Sequence, residues 1–376
     1  MLGKVPASRL RLIDRIVQAA PAVARRAREA GVPPKDVAAF LRHYFRGVGD
    51  EDLEARAAGD LAGAALAHLA GGARRRAGAP TVRVFNPDPA TDGFGSVHTV
   101  VLVVCDDMPF LVDSLGLVLN QSGHAVHLIV HPVLAVARDG RGRLKRLAAE
   151  PEPGTRLESW QLFEIDREID PARLADLEAR IRSTLADVAV AVGDWQEMRR
   201  RARELAADLE TRSLPLASAD VLEGRALLEW MENNHFTFLG YRYAKLKRGR
   251  GADRLVAEPG TGLGILRDGH RGRTPKPTVL AGEVRAHARD RELLVITKAN
   301  SLSTVHRAAY LDYVGVKSFD ARGEVDGEHR FLGLWTSTAY SRSPRDIPVL
   351  RHKVQKVIGH FGLNPSSHDG KAVLHV

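Results

Sequence analysis

Two adjacent aspartates followed by a proline, in the run Cys105-Asp-Asp-Met-Pro-Phe-Leu-Val-Asp-Ser114, are the residues of this chain best placed to do chemistry. The apolar segment Val100 to Cys105 reads as a strand that stops at Asp106 and Asp107. Pro109 stands where a helix would take its first residue. A helix N-terminus at a strand tip offers unpaired N–H groups and the positive end of the helix dipole. Such a junction has two uses. It can hold a small anion, and because two carboxylates would repel a bare anion, an amino acid fits best, its carboxylate on the N–H groups and its ammonium on an aspartate. Alternatively Asp106 or Asp107 caps the helix and nothing binds. Asp106, Asp107, Pro109 and Phe110 are the candidate ligand-binding residues.

Other clusters carry less. His124, His127 and His131 lie within eight residues, but strand alternation puts His127 and His131 on one face and His124 on the other. No cysteine or carboxylate nearby completes a zinc set, so they read as packing or surface histidines and no metal is expected. Gly260-Thr-Gly262-Leu-Gly264 lacks the spacing of a dinucleotide fingerprint and reads as loop; no phosphate-binding P-loop is present. Ser341-Arg-Ser-Pro344 could bind an anion at the helix it caps, but reads better as ordinary capping. Cys105, the only cysteine, sits beside two carboxylates that would raise its pKa, so it is not a reactive thiol. No nucleophile–base or acid–base pair is visible, and no catalytic residue is assigned.

The elements that must position these residues follow from periodicity. Residues 1–78 read as helices, with stripes at Leu10, Ile13, Ile16, Val17 and Ala20 (interrupted by Pro21), at Val37, Phe40, Leu41, Tyr44 and Phe45 after Pro33-Pro34, and at Leu61, Ala65, Leu66 and Leu69 behind an Asp60 cap. Residues 79–198 give a strand at Thr81–Phe85, a Pro/Asp/Gly loop, strand Val97–Cys105, helix Pro109–Ser122 stopped by Gly123, β-rich 124–137 with an edge or a bulge at Pro132, a turn at 139–142, strand Trp160–Ile165 and a helix from Pro171. Val188–Val192 could be a last strand but reads better as more helix, in which case the Thr81 strand completes the sheet. This β-β-α-β-β-α order resembles a ferredoxin-like sandwich. Residues 199–218 read as a charged helical connector and linker. Residues 219–340 open with a capping box at Asp220-Val-Leu-Glu223, and a helix bearing Leu227, Leu228 and Met231 leads into a mostly antiparallel sheet (235–243, 293–297, 310–319, 329–336), a pattern resembling a PAS-type domain. Residues 341–376 read as a helix opened at Ser343-Pro344, carrying Ile347 to Phe361 and ended by Gly362 and Pro365, then an unfinished element at Lys371–Val376 that suggests the front portion of something longer. The fold class is α+β.

Composition bounds the partners. At 376 residues with 44% hydrophobic content the chain supports two or three domains. One cysteine excludes a disulfide framework and suits a reducing compartment. No signal-peptide core and no apolar stretch of spanning length is seen, giving the expectation of a cytoplasmic protein without a membrane partner. The net charge of +9 comes from scattered, arginine-rich basic residues without aromatic interleaving, so nucleic acid is not the expected partner.

Several runs resemble the N-terminal portion of the large bacterial NAD-specific glutamate dehydrogenases: Thr81-Val-Arg-Val-Phe-Asn-Pro87, Asp107 to Ser114, His131-Pro-Val133, Asn234-His-Phe-Thr-Phe-Leu-Gly-Tyr241, Ser303-Thr-Val-His-Arg307, Tyr313-Val-Gly-Val-Lys317, Phe331-Leu-Gly333, Thr338 to Arg345 and Ser367-His-Asp-Gly-Lys371. The resemblance covers residues 81 to 376 in family order. It implies ACT-like and PAS-like regulatory modules of an enzyme that oxidises L-glutamate to 2-oxoglutarate with NAD. The substrate lysine and cofactor domain would lie downstream, so no NAD is expected on this segment. Its partners would be a further copy of itself, the catalytic portion, or a small amino-acid effector. Ordinary ACT modules have glycine after the proline; here the residue is Phe110, whose ring is large enough to fill the ligand position. The alternative reading is a free-standing amino-acid-sensing or oligomerisation module without catalysis.

Overall fold

The computed structural model describes residues 6–22, 34–148, 150–272 and 274–360. The chain divides into two compact units, Met1–Val188 with Thr304–Arg307, and Ala189–Ser303 with Ala308–Val376.

In the first unit the three expected apolar stripes are helical. Helix α1 (Ala7–Ala19) buries Ile13 and Ile16, and a 3-10 turn carries the chain through Pro21. Helix α2 (Pro34–Tyr44) buries Phe40, Leu41 and Tyr44; Pro33 lies outside the described residues. A short unanticipated α3 (Asp50–Glu54) precedes α4 (Ala58–Gly71), in which every residue from Leu61 to Leu69 is buried. Asp60 does not cap α4. Ala57 is the N-cap residue and gives no side-chain bond, while the Asp60 carboxylate lies in the first turn and accepts the Gly95 N–H at 2.8 Å.

The sheet beneath these helices contains β1 (Thr81–Phe85), β2 (Thr99–Asp106), β3 (Val126–Val130), β4 (Val133–Arg138), β5 (Leu144–Ala148) and β6 (Arg156–Ile165). Its order is β1-β2-β6-β4-β5, β3 also pairs with β6, and every pairing is antiparallel. Strands β3 and β4 form one arm broken at His131-Pro132, where the Trp160 N–H donates to the Pro132 carbonyl and keeps the ladder satisfied across the proline. Before β2, Asp88 caps a short helix α5 (Pro89–Asp92) by accepting the Ala90 and Thr91 N–H groups. Helix α6 (Leu111–Gln121) follows β2 and stops at Gly123, whose φ of +84° suits glycine. Helix α7 (Pro171–Thr211) follows β6. The β2-α6-β3/β4-β6-α7 core is ferredoxin-like, and β1 takes the edge place of the usual last strand, as the pattern suggested. Strand β5 was not anticipated. Residues 188–192 are helical, and α7 continues without a break through 198 and 199, so the connector helix is part of it.

Strand β2 is buried on both faces. Val100, Leu102 and Val104 join the core of α1, α2 and α4, while Val101, Val103 and Cys105 are equally inaccessible on the other face. Leu111, Leu115 and Leu119 of α6 and Leu177, Ile181 and Leu185 at the start of α7 are buried as well. Trp160 is fully buried near Phe40 and His68, and only glycine fits at Gly72, where a Cβ would stand 2.3 Å from the indole ring.

The second unit is built on α8 (Ser218–Trp230), a π turn through Asn234, and a sheet of β7 (Phe236–Lys247), β8 (Asp253–Ala257), β9 (Leu263–Gly264), β10 (Thr278–Leu280), β11 (Leu294–Leu302), β12 (Tyr310–Phe319) and β13 (Val325–Trp335). A helix α9 (Gly282–Arg289) lies between β10 and β11. The order is β10-β8-β7-β13-β12-β11, with β9 on β7, antiparallel throughout. Leu227, Leu228 and Met231 share a core with Phe236, Phe238, Phe331, Val314 and Val316, and with Met198, Ala202 and Ala206 of α7. The capping box is not formed. Ala217 is the N-cap residue of α8, and Glu223 instead accepts the Val349 N–H and pairs with Arg351. Strands β8 and β10 were not anticipated, and the long loop around residue 265 contains β9 and a 3-10 turn at His270–Gly272. The last helix does not open at Ser343. A short α10 (Ser337–Ser341) and a turn precede α11 (Leu350–His360), which begins beyond Pro348. Phe361, Gly362, Pro365, the Ser367–Lys371 run and Lys371–Val376 lie outside the described residues. Among the described residues no helix is long and apolar enough to cross a membrane.

Candidate functional site

The four residues singled out from sequence are adjacent at the C-terminal end of β2, but they do not form the expected junction. Helix α6 starts at Leu111, two residues beyond Pro109, and its N-cap residue is Phe110, which gives no side-chain bond. Neither aspartate caps the helix. The Asp106 carboxylate pairs with Arg75 and accepts the Gly78 N–H at 3.1 Å. Arg75 also reaches Glu158 at 2.8 Å, and Glu158 is held on its other side by Arg138 at 2.7 Å. Glu158 has no solvent exposure and Arg75 only 3%. Burial opposes ionisation of Glu158, but the bonds from Arg138 and Arg75 outweigh it and hold its carboxyl below the usual range. Asp106 is therefore spent on a closed ion cluster and is not free for an ammonium group.

Asp107 donates its backbone N–H to the Leu157 carbonyl. Its side chain reaches solvent, yet loss of hydration pushes its pKa up, partly offset by the Met108 N–H. Phe110 adopts φ +71°, the left-handed region that glycine enters freely and an aromatic residue enters at a cost of about 1–2 kcal/mol. Its ring lies 4.9 Å from that of His306, in the segment Thr304–Arg307 of the same unit. The His306 N–H donates to Ser114 Oγ at 3.0 Å. The Phe110 ring, large enough by sequence to fill the ligand position, thus stands at the helix start in contact with His306.

The remaining candidates make local contacts. His127 pairs with Asp166 at 2.7 Å, His124 is buried and His131 is exposed. Among the described residues no three histidines, cysteines or carboxylates are placed to hold a metal ion. The Gly260 and Gly264 N–H groups donate to Asp268 and Asp194, which pin the glycine-rich loop. Ser341 Oγ donates to the Thr338 carbonyl and Ser343 Oγ accepts the Arg345 N–H. Burial first, and its neighbouring carboxylates second, push the Cys105 thiol up to about 12 against the opposing pull of Arg75.

An open space lies at the other end of β2, where sequence reading placed only a loop. A cavity of about 630 Å³ runs between α4, the loop before β2 and the sheet. Leu61, Phe94, Leu128 and Leu162 line it with carbon. Its polar side is a relay: the His98 N–H donates to Ser96 Oγ, Ser96 Oγ–H donates to Glu164 Oε1, and Arg56 donates to Glu164 Oε2 at 2.7 Å. Arg56 also donates to the Asp52 and His127 carbonyls. The His98 ring stacks on His127 at 4.1 Å, and its pKa is lowered, chiefly by burial. No local motif marks these residues, because Arg56, Ser96, His98 and Glu164 come from three separate stretches. The one available signal was Glu164 within the short, mostly apolar run Leu162–Ile165.

Comparison with known proteins completes the description. A family model described as "Glutamate dehydrogenase, ACT1 domain" matches residues 40–181, and one described as "Glutamate dehydrogenase, helical motif 1" matches residues 347–376. The chain is 38% identical over 346 residues to the NAD-specific glutamate dehydrogenase of Halomonas elongata, covering 91% of this chain and 21% of that protein. It is 36% identical over 342 residues to that of Pseudomonas aeruginosa, covering 90% and 21%. With that of Mycobacterium tuberculosis it shares 30% over 364 residues, covering 92% and 21%. The chain spans about a fifth of the length of these curated relatives.

Proposed function

We propose that this chain, an N-terminal portion of the NAD-specific glutamate dehydrogenase family carrying its ACT1 domain, regulates and helps assemble an enzyme whose hydride chemistry lies elsewhere in the polypeptide. The complete protein would oxidise L-glutamate, with NAD and water, to 2-oxoglutarate, ammonia and NADH, in the cytoplasm. The observation that carries this reading is the pairing of high similarity across the chain with coverage of 21% of the relatives. In keeping with it, the fold offers an antiparallel ferredoxin-like sheet and a second antiparallel sheet, neither being the parallel arrangement on which dinucleotides sit. We take the second unit as PAS-like, because one long helix leads into a sheet that is antiparallel throughout.

The closed start of α6 argues against amino-acid binding there, so we assign the ACT1 domain to contacts with the catalytic portion or with another copy of the chain. The test is an NADH assay at 340 nm with glutamate and NAD. The 376-residue chain should show no turnover and a longer product of the same gene should show it. Turnover by the 376-residue chain would overturn the assignment. A stop codon directly after Val376 would favour a free-standing module.

A further inference from the structure

The polar groups around the cavity are unequally spent. Arg56 and Glu164 neutralise one another, and Ser96 is used both as donor and as acceptor. Asp60 also lines the space. One of its oxygens accepts the Gly95 N–H, and its carboxylate has no cationic partner among the described residues. The lining therefore carries one negative charge, on Asp60 in the first turn of α4, with no side-chain cation to pair it among the described residues. Phe45 and Phe94, also in the lining, add apolar surface to it. The His98 ring stacks on His127 and has no hydrogen-bond partner among the described residues.

We propose that this cavity binds an amphipathic monocation, a primary amine on an apolar body, with the ammonium group on Asp60 and His98 and the body against Phe94, Leu61 and Leu162. The space is of the size that small-molecule sites use, about 300–1,000 Å³. An anion of the same shape is disfavoured by the same charge that draws the amine. The site is separate from the start of α6 and does not depend on the dehydrogenase assignment, so each can fail alone.

The experiment is calorimetric titration of the 376-residue chain with 2-phenylethylamine and, in parallel, 3-phenylpropanoate. The amine should bind one per chain and at least about tenfold more tightly than the acid. The methyl resonances of Leu61, Leu128 and Leu162 should shift with the amine. Asp60→Asn keeps an acceptor for the Gly95 N–H and should erase the preference while leaving the melting temperature nearly unchanged. No binding of the amine up to ~10 mM, a span that weak small ligands normally reach, would overturn the proposal. So would equal affinity for amine and acid in the unaltered chain, an outcome that needs no variant to fold.

Discussion

Strand β6 carries a glutamate near each end, Glu158 opposite Asp106 of β2 and Glu164 opposite Val100, and the two are partnered in contrasting ways. Glu158 is sealed between Arg75 and Arg138, and the neighbouring Asp106 completes the charge balance. Glu164 has one guanidinium and one hydroxyl, and beside it the helical layer stands off the sheet and leaves a cavity. The same residue type in the same strand thus closes one end of the sheet and leaves the other open. A carboxylate indicates a binding site only where its neighbours leave charge uncompensated. At the closed end they do not, and at the open end Asp60 remains.

The largest test of this contrast removes the two carboxylates in turn. Glu158→Ala leaves two buried guanidinium groups facing one another and should cost about 3–5 kcal/mol, measured by urea denaturation. Glu164→Ala should cost about 2 kcal/mol or less, because Arg56 keeps its two carbonyl partners and reaches water. Equal losses would erase the distinction between the ends.

Midway along β2, His68 of α4 sharpens it. Its Nε2 lies 3.1 Å from the Val103 carbonyl, which can only accept, so Nδ1 accepts from the Tyr44 hydroxyl at 2.7 Å. This neutral, fully bonded imidazole resists protonation, and burial lowers its pKa to about 3. His329 in the second unit is lowered to about 4, mainly by burial and then by Arg201. Below the ordinary histidine pKa of about 6.5 the unfolded chain takes up protons that the folded chain refuses. Stability is therefore full above that value and declines as pH falls toward 4 or 3, by up to about 1.4 kcal/mol per pH unit for each histidine. Denaturation curves between neutral and acid pH should show this slope, and His68→Gln should flatten it in the first unit. A slope unchanged by His68→Gln would mean that the proton goes elsewhere.

Glycines at the two ends give a smaller effect. A Cβ at Gly72 would meet the Trp160 ring at 2.3 Å, whereas at Gly95, in the cavity lining, the nearest atom is Pro89 Cγ at 3.4 Å. Gly72→Ala should cost about 1–3 kcal/mol by overpacking, and Gly95→Ala should change the melting temperature little. A tolerated Gly72→Ala would mean that the closed end is looser than its geometry.

Much of the scaffold was legible because it is periodic. Leu10 to Ala20, Val37 to Phe45 and the alternation in Thr81–Phe85 depend on local spacing, which burial then follows. What was not legible depends on distant partners. Asp106 looked free because Arg75, 31 residues earlier, and Arg138 with Glu158 have no sequence relation to it. Asp60 and Asp220 sat where caps are common, yet Asp60 bonds to Gly95 and Glu223 of the presumed box bonds to Arg351. Strands β5, β8 and β10 are short, and β5 is polar enough that tertiary pairing alone makes it a strand. The cavity had no motif because it is space left by packing.

Asp107 tests the remaining alternative at the closed end, and its expected effect is the smallest. Had it capped α6, replacing it would remove a bond to an orphan N–H and cost about 1 kcal/mol. In the structure the helix starts four residues later, at Leu111, and among the described residues the Asp107 carboxylate is bonded by the Met108 N–H alone. Its raised pKa means the fold holds the charged form less well than water does, so removing the charge relieves a small penalty. Asp107→Asn should leave the melting temperature unchanged or slightly higher at neutral pH, and the difference from the unaltered chain should shrink as pH falls and both side chains become neutral. A loss of about 1 kcal/mol would restore the capping role. Binding heat with any of the common amino acids, abolished by the same substitution, would instead reopen this end of β2 as a ligand site.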